Sequence, residues 1–247
     1  NVCTFKCKFC GFAKGKLALN LRGTPYLLTL DDIAQRAREA WELGATEVTL
    51  QGGIHPDFDG DYYIDVTRAV KDAVPDMHVH GFTALEVTEG ARRLGEDLAT
   101  YLTRLKDAGL STVFLQFDGT RDDIHKALRG RALADQKKAA VEHCCKHGIG
   151  VVLVPTLVPG INTNEIGAII EYALGCAPGV RGVHFQPISY FGRYPQPPTD
   201  NARVTIPEII SAIAVQTQAT MRSENFGPPG CENALCSFHG NFVIMPD

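Results

Sequence analysis

The chain has 247 residues, of which 45% are hydrophobic and 21% charged, a composition typical of a globular α/β protein. A formal net charge of −4 argues against a nucleic-acid-binding protein, and no apolar run approaches the roughly 20 residues of a membrane span. The first residues do not resemble a secretory signal. Eight cysteines therefore favour metal or redox chemistry in a reducing cytoplasm over a disulfide scaffold.

Helical and strand-like patterns alternate along the chain. The first predicted helix covers 29–44, with Thr29 or Asp31 as its N-cap and Gly44 at its end. A β-rich run at 46–51 follows and ends in a glycine pair. Further helices are predicted at 62–74, 96–108, 135–147, 164–174 and 207–221, and further strands at 77–82, 113–117, 150–156 and 180–187. A Pro-rich loop is predicted at 192–200, and little regular structure at 226–247.

This alternation predicts repeated βαβ units, a parallel sheet and a right-handed barrel or partial barrel. We expect a core barrel at 1–190 and a Cys-rich C-terminal extension at 191–247. Because the chain opens two residues before its first cysteine, we also expect that the barrel is truncated at the N-terminus. The carboxyl ends of the strands should surround the loop that holds the first cysteines, since ligands bind at that edge of parallel sheets.

Three cysteines near the N-terminus have the spacing C-x3-C-x2-C, at Cys3, Cys7 and Cys10. A loop this short can direct three thiolates at one metal cluster, and three ligands on a [4Fe–4S] cube leave one iron open. An open position is what a catalytic metal site requires. The other interpretation is a zinc knuckle, although no fourth ligand follows nearby.

The same spacing, with the aromatic Phe9 before the last cysteine, resembles the signature of the radical S-adenosylmethionine (SAM) superfamily. The resemblance implies an α/β fold, a partial (β/α)6 TIM-like barrel. It also implies that Cys3, Cys7 and Cys10 hold a [4Fe–4S] cluster and that the Phe9 region lies near the adenine of SAM. Members bind the amino and carboxylate groups of SAM on the open iron, and electron transfer cleaves SAM to methionine and a 5′-deoxyadenosyl radical.

The resemblance divides between two branches of this superfamily. From residue 1 to about residue 109, the segments NVCTFKCKFCGFAKG, GATEVTLQGGIHPD and MHVHGFTALE resemble the radical SAM half of FO synthase and its menaquinone-pathway relatives. From about residue 110 onward, LSTVFLQFDGT, LRGRAL, GIGVVLVPTLVPGIN, VRGVHFQPISYFGR and PPGCENALCSFHGNF resemble the radical SAM (seleno)protein family TrsS. That family is related to pterin methylase-type radical SAM enzymes. It usually has a GGE-type motif where this chain has Gly-Gly-Ile at 52–54.

Several residues at predicted strand ends are candidate SAM contacts. Gly52 and Gly53 allow a close backbone approach, and the family's glycine motif implies that their carbonyls bind the SAM ammonium; the alternative is a tight βα turn. Gln116 and Asp118 stand where a barrel faces its active site. Arg129 is either a bidentate ligand of the SAM carboxylate or half of a surface salt bridge.

Other polar residues and cysteines are weaker candidates. Gln186 is a further candidate cofactor contact. His80, Glu86 and His184 either face the cavity or form structural hydrogen bonds. Three more cysteines, on predicted helices or at their ends, are interpreted as small buried apolar residues: Cys144, Cys145 and Cys176.

A second metal site is predicted near the C-terminus. Cys231, Cys236 and His239 are three soft ligands within nine residues of a Gly- and Pro-rich segment. They predict zinc or an auxiliary iron–sulfur centre, with free cysteines as the other interpretation. Cys176 or a substrate atom is a candidate fourth ligand.

The function predicted from all these features is reductive cleavage of SAM at a [4Fe–4S] cluster, with the radical acting on an unknown small-molecule substrate. The electron would come from a donor such as flavodoxin or ferredoxin, and no nucleic acid or membrane partner is expected. The alternatives are FO synthase-like radical C–C bond formation on an aromatic substrate, a non-catalytic iron–sulfur or zinc protein, and an inactive chimera.

Overall fold

The computed structural model describes residues 2–4, 27–50, 52–190, 198–228 and 237–245. Within these ranges the helices are α1 (Leu30–Glu42), α2 (Gly60–Ala73), α3 (Ala84–Leu94), α4 (Leu98–Asp107), α5 (Asp122–Arg129), α6 (Ala134–Lys146), α7 (Ile166–Gly175) and α8 (Ile206–Gln216). The strands are β1 (Glu47–Thr49), β2 (His78–His80), β3 (Leu110–Gln116), β4 (Gly150–Val154), β5 (Thr156–Leu157), β6 (Val180–Val183) and β7 (Gln186–Pro187).

Five strands follow one another in a sheet in the order β1-β2-β3-β4-β6. β1 pairs with β2 in parallel, with Glu47 beside His78 and Thr49 beside His80, and β2 pairs with β3 in parallel. A second, two-stranded parallel sheet joins β5 to β7. The predicted α/β class with a parallel sheet is therefore confirmed, and in the described ranges the larger sheet is open, with β1 and β6 at its edges.

One compact unit comprises residues 1–115, 139–152 and 191–195. Its helices α2 and α3 approach each other closely at Gly60 and Gly90: a Cβ at Gly90 would lie 3.1 Å from the Cα of Gly60. The Tyr101 hydroxyl of α4 donates to the Gly60 carbonyl at 2.8 Å and fills the same crossing. The two glycines thus permit a helix packing that larger residues would block.

The other compact unit comprises residues 116–138, 153–190 and 196–247. Its core joins β5, α7 and α8 through a buried aliphatic cluster: Leu157, Ile166, Ile170, Ile209 and Ile213. The Gln216 side chain also links the two helices. It accepts from the Gly167 amide at 2.9 Å and donates to the Thr163 carbonyl at 2.8 Å. Apolar burial and this polar clamp together hold α8 against α7.

The element boundaries differ from the predicted ones where the backbone interrupts a pattern. Thr29 is the N-cap of α1, as expected, in a capping box with Asp32. The predicted strand at 150–156 is divided into β4 and β5 at Pro155, which has no N–H to donate to a ladder. The predicted strand at 180–187 is likewise divided into β6 and β7. α8 ends at Gln216 because two of the next residues have positive φ. α3 and α5 were not predicted.

Candidate functional site

The first cysteine of the motif lies against the glycine pair. The amide N–H of Ile54 donates to Cys3 Sγ at 3.3 Å, and the Thr4 N–H donates to the Ile54 carbonyl at 2.8 Å. Gly53 has φ +86°, and a Cβ there would lie 3.4 Å from Cys3 Sγ. A side chain at Gly53 would therefore be both strained and crowded, so glycine is needed for this approach.

Glu86 holds the glycine pair from the other side. Its Oε1 accepts from the N–H groups of Gly52 and Gly53, at 3.0 Å each. Its Oε2 accepts from the N–H of Thr83 at 2.8 Å and from its hydroxyl at 2.7 Å, in the capping box that begins α3. The residue is only 1% exposed. Four donors and the positive end of α3 thus stabilise a buried carboxylate.

A pair of aromatic rings lies beside this turn. The buried Tyr63 hydroxyl makes a long, 3.5 Å hydrogen bond to the Gly53 carbonyl, and its ring meets that of Phe82 edge-on, with centroids 5.1 Å apart. Burial raises the pKa of the Tyr63 hydroxyl, and the Glu86 carboxylate raises it further. Tyr63 therefore stays protonated, and it acts as a donor to the glycine carbonyl.

A polar cluster joins three strands of the same unit. His80 Nδ1 lies 3.2 Å from Glu47 Oε1, and His78 Nε2 lies 3.5 Å from Glu47 Oε2. His78 Nε2 also lies 3.1 Å from the Thr112 hydroxyl. These contacts support the prediction that His80 makes structural hydrogen bonds, since they link β1, β2 and β3.

In the second unit, Asp118 forms a buried ion pair with Arg129. Arg129 Nε lies 2.7 Å from Asp118 Oδ2 and Nη2 lies 3.0 Å from Oδ1, so the guanidinium holds the carboxylate bidentately. Thr156 donates its N–H to Asp118 Oδ1 at 3.1 Å, and the Gln116 amide donates to Oδ2. Asp118 is completely buried, and the Arg129 side chain is 14% exposed. The salt bridge that was the alternative for Arg129 is thus present, but it lies below the surface.

Asn162 locks the backbone around this ion pair. Its Nδ2 donates to the carbonyls of Asp118 and Thr156, at 2.8 Å each, and its Oδ1 accepts from the Val158 N–H at 2.7 Å. Asn162 is completely buried. The Asn162 side chain therefore connects the loop after β5 to the end of β3, and both of its Nδ2 hydrogens are used in these bonds.

Two further titratable groups stand near Asp118. Burial lowers the pKa of the Lys137 ammonium to about 8, although the Asp118 carboxylate opposes this shift. Burial also lowers the pKa of His125, whose Nε2 lies 3.0 Å from the Gly119 carbonyl. His125 is therefore neutral at pH 7, and a fraction of Lys137 is a free amine at mildly basic pH.

Several predicted site residues are not part of these clusters. Cys7, Cys10, Phe9, Cys231 and Cys236 lie outside the described residues. His239 forms an antiparallel bridge with Gly227 through two backbone hydrogen bonds. Gln186 and His184 are exposed.

The remaining described cysteines lie on or at the end of helices. Cys144 is buried, and burial raises the pKa of its thiol to about 12; Cys145 and Cys176 are half-buried. Among the described residues, no group of three or more His, Cys, Asp or Glu side chains is arranged to hold a metal. In the same ranges, no helix is both long and apolar enough to cross a membrane.

Sequence reasoning missed most of the partners that hold the predicted residues. The role of Glu86 had a local signal, because Thr83-x-x-Glu86 is a capping-box pattern. Its bonds to Gly52 and Gly53 had no such signal, since they span 34 and 33 residues. Lys137 likewise had no local signal.

Comparison with known proteins identifies the family. The family model of the radical SAM superfamily matches residues 1–173. The chain is 50% identical over 113 residues to FO synthase of Streptomyces coelicolor, across 46% of the chain and 13% of that protein. It is 45% identical over 129 residues to 7,8-dihydro-6-hydroxymethylpterin dimethyltransferase of Methanocaldococcus jannaschii, across 52% of the chain and 26% of that enzyme. The chain thus spans only 13% and 26% of the length of these two relatives.

Solved structures agree on the fold. The chain matches methylornithine synthase (PylB) with a TM-score of 0.58 and 17% identity, over 88% of the chain and 60% of that structure. It matches HydG, a maturase of the [FeFe]-hydrogenase, with a TM-score of 0.57 and 15% identity, over 88% of the chain and 48% of that structure. Such low identities show the fold alone. Since the family model covers more than half of the residues, the chain belongs to the radical SAM superfamily.

Proposed function

We propose that this chain is a radical SAM enzyme that binds a [4Fe–4S] cluster on Cys3, Cys7 and Cys10 and cleaves SAM reductively. One observation carries the proposal: Cys3 Sγ accepts an amide N–H and lies against Gly53, where an added Cβ would be strained and crowded. Hydrogen bonds from surrounding groups orient the ligands of a metal site, so the described part of the site fits the cluster. When bound, the cluster supplies the electron that converts SAM to methionine and a 5′-deoxyadenosyl radical.

The chain's own residues would bind and orient SAM. The N–H groups of Gly52 and Gly53 donate to Glu86, and their carbonyls would accept from the SAM ammonium, that of Gly53 alongside its bond from the Tyr63 hydroxyl. Further proposed contacts are Phe9 toward the adenine, and Gln116, Asp118 and Gln186. Buried aromatic rings such as those of Tyr63 and Phe82 would exclude water from the radical.

Arg129 retains its proposed role as the partner of the SAM carboxylate, with a condition. Its Nε and Nη2 donate to Asp118, and Nη2 also donates to the Thr156 hydroxyl at 3.3 Å, so a contact with SAM would add to these bonds. The ion pair would hold the guanidinium at a fixed position. Arg129 would thus bind SAM without first having to be ordered.

The substrate is proposed only as a small molecule. The similarity to FO synthase favours radical C–C bond formation on an aromatic substrate, whereas a TrsS-like C-terminal part favours different, unassigned radical chemistry. We propose a flavodoxin or ferredoxin as electron donor and the cytoplasm as location. We also propose that the chain has two domains, a core barrel at 1–190 and a C-terminal extension at 191–247.

A second metal site at Cys231, Cys236 and His239 is also proposed. Its support is the clustering of three soft ligands in a Gly- and Pro-rich segment that a metal would order. A Cys231→Ala/Cys236→Ala variant should lose metal beyond the N-terminal cluster. Equal metal content in variant and parent would identify these residues as ordinary thiols.

The main proposal is tested by anaerobic reconstitution, with iron and sulfide analysis and an assay for 5′-deoxyadenosine. Cys3→Ala, Cys7→Ala and Cys10→Ala should each abolish the visible cluster absorption and the cleavage of SAM. Cys145→Ala, on a helix outside the motif, is the matched control and should keep both. Unchanged iron in the triple variant would refute the cluster assignment. An intact cluster that yields no 5′-deoxyadenosine would indicate a non-catalytic iron–sulfur protein.

A further inference from the structure

We propose that Glu86 is a positioning residue for the cluster: by holding the glycine pair, it directs the Ile54 N–H at Cys3 Sγ and so raises the cluster's reduction potential. This inference rests on the proposed function, because it requires Cys3 to be a cluster ligand. Glu86 itself touches neither the cysteine nor, in this proposal, the substrate.

The two carboxylate oxygens of Glu86 have different partners. Oε2 completes the capping box of α3 with Thr83, a local task that helix starts require. Elsewhere in the chain, the box between Thr205 and Glu208 has the same bonds at an exposed helix start. Oε1 of Glu86 instead reaches back to two amides in another loop. Capping explains Oε2, whereas Oε1 serves the glycine turn.

The bonds from Gly52 and Gly53 to Glu86 fix the orientation of the next amide, that of Ile54. The N–H groups of Gly52 and Gly53 both point at Oε1, and Gly53 then takes φ +86°. The following N–H, that of Ile54, points at Cys3 Sγ. Ile54 is 2% exposed, and its carbonyl accepts from Thr4 next to the cysteine. The Ile54 amide is therefore held by Glu86 through the glycine pair and by Thr4 through the Ile54 carbonyl.

A hydrogen bond to a ligating sulfur is one of the factors that set the potential of an iron–sulfur cluster. The donor stabilises the extra negative charge of the reduced form more than that of the oxidised form. Losing the donor should make the cluster harder to reduce. The charge of Glu86 acts in the opposite direction, because a nearby carboxylate disfavours reduction. A valid test must therefore keep the charge constant.

Glu86→Asp meets this requirement. The box of Thr29 and Asp32 shows that aspartate completes the same cap in this chain, with Oδ2 accepting from the Thr29 N–H at 3.0 Å and from its hydroxyl at 2.8 Å. Glu86→Asp should therefore keep the cap and the charge, but one methylene less removes the reach to the glycine amides. Thr83→Ala is the converse control, because it removes the capping hydroxyl and leaves the glycine link in place.

The measurement is the midpoint potential of the reconstituted cluster, followed by electron paramagnetic resonance in a mediator-buffered dithionite titration. Glu86→Asp should lower the equilibrium constant for reduction about tenfold relative to the parent, which is a shift of about 59 mV for one electron. Thr83→Ala should reduce stability and leave the potential unchanged. A second pair matched in charge, Glu86→Gln and Glu86→Ala, should show the lower potential in the alanine variant, because the glutamine oxygen can still accept from the glycine amides.

The outcomes separate this inference from the proposed function. Equal potentials in Glu86→Asp and the parent would overturn it while leaving the cluster assignment intact. Loss of iron uptake in Glu86→Asp, with uptake retained in Thr83→Ala, would support the positioning role. Loss in both variants would assign Glu86 to the helix cap alone and overturn the inference. Iron retained in the variant without Cys3, Cys7 and Cys10 would instead refute the proposed function.

Discussion

Removal of the Arg129 guanidinium should destabilise the second unit strongly. Arg129→Ala leaves the completely buried Asp118 carboxylate without its cation, while the Thr156 N–H and the Gln116 amide remain as donors. Breaking a buried ion pair by deleting one partner costs about 3–5 kcal/mol. Because two donors remain, we expect a loss near the lower limit, about 3 kcal/mol, or about 6–12 °C in Tm for a chain of this size.

The assay is urea unfolding followed by far-UV circular dichroism, with the slope of the transition compared between variants. Arg92→Ala is the matched control, because Arg92 forms an i,i+3 pair with Glu89 and its side chain is 66% exposed. That variant should unfold at the parent's urea midpoint, since exposed pairs contribute little. Asp118→Asn/Arg129→Ala should recover part of the loss, because the unpaired buried carboxylate is removed.

Two results would refute the dependence of the buried carboxylate on its cation. If Arg129→Ala shifts the midpoint no more than Arg92→Ala does, the carboxylate does not depend on its cation. If neutralising Asp118 in the double variant recovers no stability, the loss comes from packing of the arginine stem and not from an uncompensated charge.

The remaining predictions concern glycines and one amine. Gly53→Ala should lower the free energy of unfolding by about 1–2 kcal/mol, because Gly53 has positive φ, and should lower the iron bound per chain. Gly52→Ala should keep the parent's stability, since its Cβ meets only a carboxylate oxygen at 3.6 Å. Equal iron and equal Tm in both variants would contradict this. Gly90→Ala should lower the free energy of unfolding by about 1–3 kcal/mol, because its Cβ would lie 2.6 Å from the Tyr101 hydroxyl. Gly175→Ala should leave the free energy of unfolding unchanged, because nothing lies within 4 Å of the added Cβ. The folded state disfavours protonated Lys137, whose pKa falls from 10.5 to about 8, so the penalty is complete below pH 8 and gone above pH 10.5. Lys137→Met should therefore raise Tm relative to the parent at pH 7 and lose that advantage by pH 10.5, and an advantage independent of pH would refute the burial argument.

Local sequence patterns predicted much of the fold correctly. The helices at α1, α2, α4, α6, α7 and α8 overlap the predicted ranges, because caps, helical periodicity and terminal glycines act within a few residues. α5 was missed because it is short, with eight residues, and its N-cap Arg121 makes no side-chain capping bond. α3 was missed although its capping box is present in the sequence, since the box directly follows the strand pattern at 77–82.

The residues that could form the site were also predictable, but their partners were not. Cysteine spacing and the glycine pair point to the cluster and the SAM turn because both are short motifs with a defined chemistry. By contrast, Gly52 and Glu86 are 34 residues apart, and Asp118 and Thr156 are 38 apart. No local rule connects such pairs.

The sequence by itself thus determined the family, the alternation of helices and strands, and the identity of the candidate ligands. Only the tertiary structure decided that Glu86 joins a helix cap to the glycine turn and that Arg129 is held by a buried Asp118. The physical reason is that a capping bond depends on neighbours three residues away, whereas these contacts depend on which strands lie side by side. Parallel pairing places the ends of β1 and β2 together, and their loops then meet regardless of the distance along the chain.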